Sequence, residues 1–138
     1  MTLVPNWDTL LFGWATDLVG SPFEWGRTDC GSLVREACRI MSGSDSFESI
    51  RYDSMESALH AYAHHGGVGG LLLRAGWAEI PLAFVQQGDV LIQDRADEHG
   101  LPSAGVVVAR LLLVADPVTG VHFMPVPGEG TLLRHGHG

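Results

Sequence analysis

The chain has 138 residues, of which 46% are hydrophobic and 17% charged, as is typical of a globular domain and not of a disordered segment. Its formal charge is −8 and it has no lysine, so the clustered cations that nucleic-acid binding needs are missing. The longest apolar stretch, residues 104–115, contains Arg110 and is too short to span a bilayer, and the start of the chain lacks the pattern of a signal peptide. We expect one domain over residues 1–138, with no nucleic-acid partner and no membrane span.

The first half of the sequence predicts helices from apolar residues that recur on one face. The predicted helices cover residues 7–18, 29–42, 53–65 and about 71–73. Asn6 and Asp29 are expected to cap the first two, because short polar side chains accept hydrogen bonds from the first helical N–H groups. Asp53 and Glu56 are spaced like a capping box and indicate the start of the third helix.

The second half of the sequence predicts strands from aliphatic and β-branched runs bounded by turn residues. The predicted strands cover residues 77–80, 90–92, 103–115, 121–126 and 131–135. Gly88-Asp89 predicts a turn, and residues 116–120 predict the loop of a hairpin. Helices followed by an antiparallel sheet indicate the α+β class.

Cys30 begins the most regular helical pattern, directly after Asp29 and a loop at residues 20–28. A thiol in the first turn of a helix lies near unpaired N–H groups that favour the thiolate, the reactive form of cysteine. A buried apolar role is the simpler interpretation of an isolated cysteine. Cys38 follows eight residues later, about 12 Å along the helix, too far for a disulfide, and is expected in the core. Phe23 and Trp25 of the loop are candidates for lining a substrate groove.

A second pattern places Glu56, His60 and His64 four residues apart on one face of the third predicted helix, with His65 adjacent. Two imidazoles at this spacing are able to hold a metal ion. A solvated helix face is the simpler interpretation, and we expect neither a metal nor another cofactor.

The order of motifs resembles the NlpC-type cell-wall cysteine peptidases of the papain-like group. The resemblance rests on G-x-P-F-x-W-G-x-x-D-C at residues 20–30, G-D-V-L-I at residues 88–92 and S-A-G-V-V-V-A at residues 103–109. It is closest to the subgroup found in tail modules of bacteriophages and prophages. The resemblance implies an NlpC-type fold, with N-terminal helices packed on a C-terminal antiparallel sheet. It also implies Cys30 as nucleophile, a histidine base on the strand after G-D-V and an orienting polar residue on the next strand.

The chain departs from this pattern at Ser103, which occupies the position of the expected histidine. Two other histidines are candidate bases: His99 in the preceding loop, and His122 on a later strand, where it is either base or orienter. The simpler interpretations are an exposed loop residue for His99 and a half-buried strand residue for His122.

Two functions therefore stay open. In one, the protein is a phage tail-tip component that has kept the fold and lost the reaction, partnered by other tail proteins. In the other, it is an active cysteine hydrolase that cleaves peptidoglycan stem peptides. Either function places the protein in the virion, or in the host cytoplasm during assembly.

Overall fold

Four helices precede a six-stranded antiparallel sheet in the computed structural model, which describes residues 3–96 and 102–136, without the side chains of residues 94–96 and 102. The helices are α1 (Trp7–Leu18), α2 (Cys30–Ser42), α3 (Met55–Ala63) and α4 (Gly67–Arg74). The strands are β1 (Ala78–Ile80), β2 (Val90–Ala96), β3 (Pro102–Val108), β4 (Leu111–Asp116), β5 (Gly120–Pro125) and β6 (Thr131–Arg134). The predicted α+β class is confirmed.

The helix starts match the sequence prediction at one cap and differ at two. Asp29 caps α2, since its side chain accepts a hydrogen bond from the Ser32 N–H at 3.1 Å. Asn6 precedes α1 but makes no side-chain capping bond, because its backbone is left-handed (φ 61°) where a capping residue is normally extended. The capping box of α3 is formed by Ser54 and Ser57, one residue later than the predicted pair of acidic residues.

The helical boundaries after α3 were also predicted wrongly. The third helix ends at Ala63. Helix α4 is eight residues long and begins at Gly67, four residues before the leucines from which a short helix was predicted. Gly70 of α4 packs against the turn before the helix, since a Cβ atom there would overlap the carbonyl of His65, and Gly66 and Gly67 have positive φ. Glycine-rich sequence conceals a helix because glycine disfavours helical structure in isolation.

The strands form one antiparallel sheet in the order β1-β6-β2-β3-β4-β5. The last strand, β6, returns to lie between β1 and β2. Strand β3 lies at the centre, with Ile92 of β2 opposite Ala104, and Val106 opposite Leu113 of β4. The end of β3 nearest Ser103 pairs with β2, whereas its other end, Val106 to Val108, also pairs with β4.

The run at residues 103–115, predicted as one strand, is a hairpin of two strands. Strand β3 ends at Val108, β4 begins at Leu111, and Ala109 and Arg110 form the turn. Ala109 has a φ of 57°, a left-handed conformation that glycine or asparagine usually supplies. The sequence prediction missed this turn because it contains neither glycine nor asparagine.

The core lies between the helices and one face of the sheet. Val106 and Val108 of β3 pack there with Leu33 and Cys38 of α2, whereas Val107 packs on the opposite face. This alternation follows from the two-residue period of a strand. The predicted core position of Cys38 is confirmed, with 3% exposure.

The Gly88-Asp89 turn has a structural role that the sequence alone did not indicate. The Asp89 carboxylate is 2% exposed as a side chain and accepts two hydrogen bonds from Arg134 of β6, at 2.8 and 2.9 Å. It also accepts the Gln86 N–H at 2.8 Å. The ion pair ties the turn before β2 to the last strand of the sheet.

In the part of the chain that the structure describes, no helix combines the length and hydropathy needed to cross a membrane.

Candidate active site

Cys30 is held at the start of α2 by the residue before it. Asp29 is buried, with 2% exposure, and its carboxylate accepts four hydrogen bonds. The donors are Gly26 N–H at 2.7 Å, Ser32 N–H at 3.1 Å, Ser32 Oγ at 2.8 Å and Tyr52 Oη at 2.5 Å. Asp29 thus joins the loop at residues 20–28 to the start of α2, where Cys30 follows it.

Two tyrosines that no sequence motif singles out, Tyr52 and Tyr62, lie beside Cys30 and Gly31. The Oη atoms of Tyr52 and Tyr62 lie 3.2 Å apart, and both reach over Gly31. A Cβ atom on Gly31 would overlap the Tyr62 hydroxyl and lie 2.7 Å from that of Tyr52, so only glycine fits there. Burial raises the pKa of both tyrosines well above the ordinary value, and they remain neutral hydrogen-bond donors at neutral pH.

An open cleft of about 380 Å³ lies in front of Cys30. Five of the residues singled out from the sequence line it: Phe23, Trp25, Cys30, Ser103 and His122. The two aromatic rings are in edge-to-face contact, with centroids 4.9 Å apart. Residues from the loop, α2, β3 and β5, far apart in sequence, therefore share one concave surface.

His122 lies on β5, directly opposite Val114 of β4. Its Nδ1 is 3.1 Å from the carbonyl oxygen of Gly120 and 3.4 Å from Oγ1 of Thr119. A carbonyl oxygen only accepts hydrogen bonds, so this contact assigns the ring proton to Nδ1. The tautomer leaves Nε2 as the nitrogen able to accept a proton, as a general base must.

Asp116 also lines the cleft, although the sequence indicated only its place in a turn. Its Oδ1 accepts the N–H groups of Thr119 and Val118, at 3.0 and 2.7 Å. These hydrogen bonds, with a smaller contribution from the charge of His122, lower the pKa of Asp116. The cleft therefore contains a carboxylate at neutral pH. Asp116 ends β4 and His122 lies on β5, so the loop between these strands separates the two residues in the chain.

Ser103 lies on the wall of the cleft at the start of β3, the position that the sequence comparison assigned to a base. His99 lies outside the described residues. Of the described residues that line the cleft, His122 is the one histidine. The cleft thus brings a thiol, a hydroxyl, an imidazole and a carboxylate together.

The histidines of α3 stand apart from this cleft. His60 lies in the last turn of α3 and His64 is the residue that follows the helix; both are exposed, and their ring centroids are 6.1 Å apart. Within residues 3–96 and 102–136, no three His, Cys, Asp or Glu side chains are grouped so that they could hold a metal ion.

Comparison with known proteins supports the fold. A family model described as "Domain of unknown function (DUF6950)" matches residues 2–129. The structure is similar to a crystal structure of the NlpC/p60 domain of the peptidoglycan hydrolase SagA, with a TM-score of 0.56 and 15% sequence identity. The similarity covers 92% of this chain and 97% of that one, so the expected NlpC-like, papain-like fold is confirmed. A search of curated proteins finds no match.

Proposed function

The chain belongs to the DUF6950 family, and we propose that it is a bacteriophage tail component, placed at the tail tip, that has kept an NlpC-type cleft and lost the hydrolase reaction. The observation that carries this proposal is Ser103 on the wall of the cleft in front of Cys30. A serine hydroxyl does not take up a proton near neutral pH, whereas the imidazole expected at this position does.

The tail setting of the proposal rests on the resemblance of residues 20–30 to tail-module proteins. The other features of the cleft suit binding better than reaction. Phe23 and Trp25 provide apolar contact surface and Asp116 provides a charge, and none of these groups depends on Cys30 being reactive. The partners on this proposal are other tail proteins, with peptidoglycan as a further ligand.

A test uses purified particles of the phage that encodes this chain, with gold-labelled antibody and electron microscopy. We expect label at the tail tip, and equal plaque counts for the wild-type phage and one that carries Cys30→Ala. Absence of the protein from finished particles would refute the tail assignment. A loss of infectivity from Cys30→Ala, with the tail intact, would refute the loss of catalysis.

The second candidate is an active cysteine hydrolase acting on peptidoglycan stem peptides. The observation in its favour is that His122 lines the same cleft as Cys30, with Nδ1 engaged by Gly120 and Nε2 left to accept a proton. This is the arrangement of an imidazole whose tautomer is set by a backbone carbonyl. Asp116 would then stabilise the imidazolium through its charge.

In this reaction Nε2 of His122 takes the thiol proton, and Sγ of Cys30 attacks the carbonyl carbon of the scissile amide. The N–H groups at the start of α2 stabilise the resulting oxyanion. The C–N bond breaks, the amine leaves with the proton from the imidazolium, and a thioester remains on Cys30. Water, deprotonated by the same imidazole, hydrolyses the thioester and restores the thiol.

Release of new amino termini from purified peptidoglycan measures this activity directly. The hydrolase hypothesis requires that Cys30→Ala and His122→Ala both abolish release, while Ser103→Ala leaves it intact. No release by the wild-type protein, across substrates with different stem peptides, would count against the enzyme. If Ser103→His gains activity that the wild type lacks, the proposal of a lost base at this position is supported.

A further inference from the structure

A second groove, of about 480 Å³, lies between α1 and α2 and shares no lining residue with the cleft at Cys30. Four arginines line it: Arg27, Arg35, Arg39 and Arg51. They are half of the eight arginines in a chain with no lysine and a formal charge of −8. Such a concentration of cations on an acidic protein marks a surface suited to negative charge.

Arg35 forms the fixed part of this groove. Its guanidinium donates to both carboxylate oxygens of Asp45, with Nη2 at 2.6 Å and Nε at 3.1 and 3.2 Å. The hydrogen bond to Asp45 raises the pKa of Arg35, and both side chains are about three-quarters buried (25% and 21% exposed). A bidentate pair of this kind holds its geometry and is not available to a ligand.

The guanidinium groups of the other three arginines are available to donate hydrogen bonds to a ligand. Arg27 and Arg39 make single contacts of 3.4 and 3.5 Å with the exposed carboxylates of Glu24 and Glu36. Exposed pairs of this kind contribute little to stability, so a ligand carboxylate can replace them. Among the described residues, no carboxylate lies within ion-pair distance of Arg51, whose guanidinium is 3.5 Å from the carbonyl of Ile50.

The opposite wall of the groove is apolar. Trp14 and Leu18, one turn apart on α1, line it and are half-buried. On α2, Ser32, Arg35 and Arg39 lie on one face and extend over about 10 Å. The groove therefore offers spaced cations along one side and an apolar strip along the other.

We propose that this groove binds an acidic peptide segment of a partner protein, with carboxylates on Arg27, Arg39 and Arg51 and an apolar side chain against Trp14 and Leu18. Spaced guanidiniums match carboxylates that are distributed along an extended peptide, whereas a single phosphate needs donors that converge. A nucleic acid fits poorly, because its closely spaced phosphates need more clustered cations than the three available arginines provide. The partner is recognised independently of Cys30.

The test is fluorescence anisotropy with a fluorescein-labelled, capped hexapeptide that alternates glutamate and leucine. The control peptide has glutamine in place of glutamate. We expect the acidic peptide to bind and the control peptide to bind at least about tenfold more weakly, because charge-assisted hydrogen bonds are the stronger ones. Arg51→Gln and Arg39→Gln are each expected to weaken binding about fivefold, and added salt is expected to weaken it further.

Arg110→Gln is the matched control variant, since Arg110 is exposed in the turn between β3 and β4, outside the groove. It removes the same charge and is expected to leave the affinity within about twofold. Equal weakening by Arg110→Gln, or equal binding of the two peptides, would overturn the proposal. So would sedimentation showing a wild-type dimer that Arg51→Gln dissociates, because a second copy of this chain would then be the occupant. Thermal melting of each variant checks that it is folded.

Discussion

The two cysteines differ enough in environment for alkylation to give a sharp quantitative prediction. Cys38 is 3% exposed, and burial raises the pKa of its thiol to about 12. At pH 7 about one Cys38 thiol in 100,000 is then ionised. An ordinary cysteine, with a pKa of about 8.5, is about 3% thiolate at that pH. Cys30 is half-buried on an open cleft, so a reagent reaches its thiol, whereas burial shields the thiol of Cys38.

Because the thiolate is the nucleophile, the raised pKa lowers the reactivity of Cys38 about 3,000-fold below that of an ordinary thiol at pH 7. Iodoacetamide is therefore expected to modify the accessible Cys30 much faster than Cys38. Mass spectrometry of digested protein at timed intervals measures both rates. Cys38→Ala should leave the rate at Cys30 unchanged, and unfolding in guanidinium should bring the two rates together. Modification of both cysteines at similar rates in the folded protein would refute the assignment of Cys30 to an accessible cleft.

Three further predictions concern the scaffold. Arg134→Met leaves the Asp89 carboxylate buried without its ion pair and should lower the free energy of unfolding in urea by about 3 kcal/mol; a loss below about 1 kcal/mol would contradict the pairing. Gly31→Ala forces a methyl group against two tyrosine hydroxyls and should lower the free energy of unfolding by about 1–3 kcal/mol. An unchanged melting temperature would show that the start of α2 has room for the methyl group. Burial alone would raise the pKa of Asp45, but hydrogen bonds from Arg35 lower it below the usual value. The Asp45 carboxylate therefore stabilises the fold above about pH 4, and this contribution is lost as the pH falls through its lower folded-state pKa. Asp45→Asn should flatten the acid limb of a plot of unfolding free energy against pH. Parallel curves for the variant and the wild type would contradict this assignment.

Local chemistry made several features predictable. Asp29 as a helix cap and Cys30 as the first residue of α2 follow from the preference of short polar residues for helix starts and from a regular apolar stripe. The loop at residues 116–120 was also correct, because Asp, Pro and Gly identify a turn by their backbone preferences. These signals lie within a few residues of the structure that they predict.

Other features carried no local signal. Ala109 makes a turn with positive φ without glycine or asparagine, so the β3–β4 hairpin looked like one strand. Residues that pair across the sheet impose this turn, through Val108 opposite Leu111 and Val107 opposite Leu112. The capping box at Ser54 and Ser57 differed from the predicted pair by a single residue, because adjacent acidic residues and serines satisfy the same pattern.

By itself the sequence determined the fold class and the position of Cys30 at a helix start, and it placed Ser103 where the resemblance leads us to expect a histidine. Only the tertiary structure decided that His122 and Asp116 line the same cleft as Cys30, and that Arg27, Arg39 and Arg51 line one groove. The difference has a physical cause. Helix caps and turns depend on neighbours in the chain, whereas a cleft is formed by residues that strand pairing and core packing bring together from distant positions.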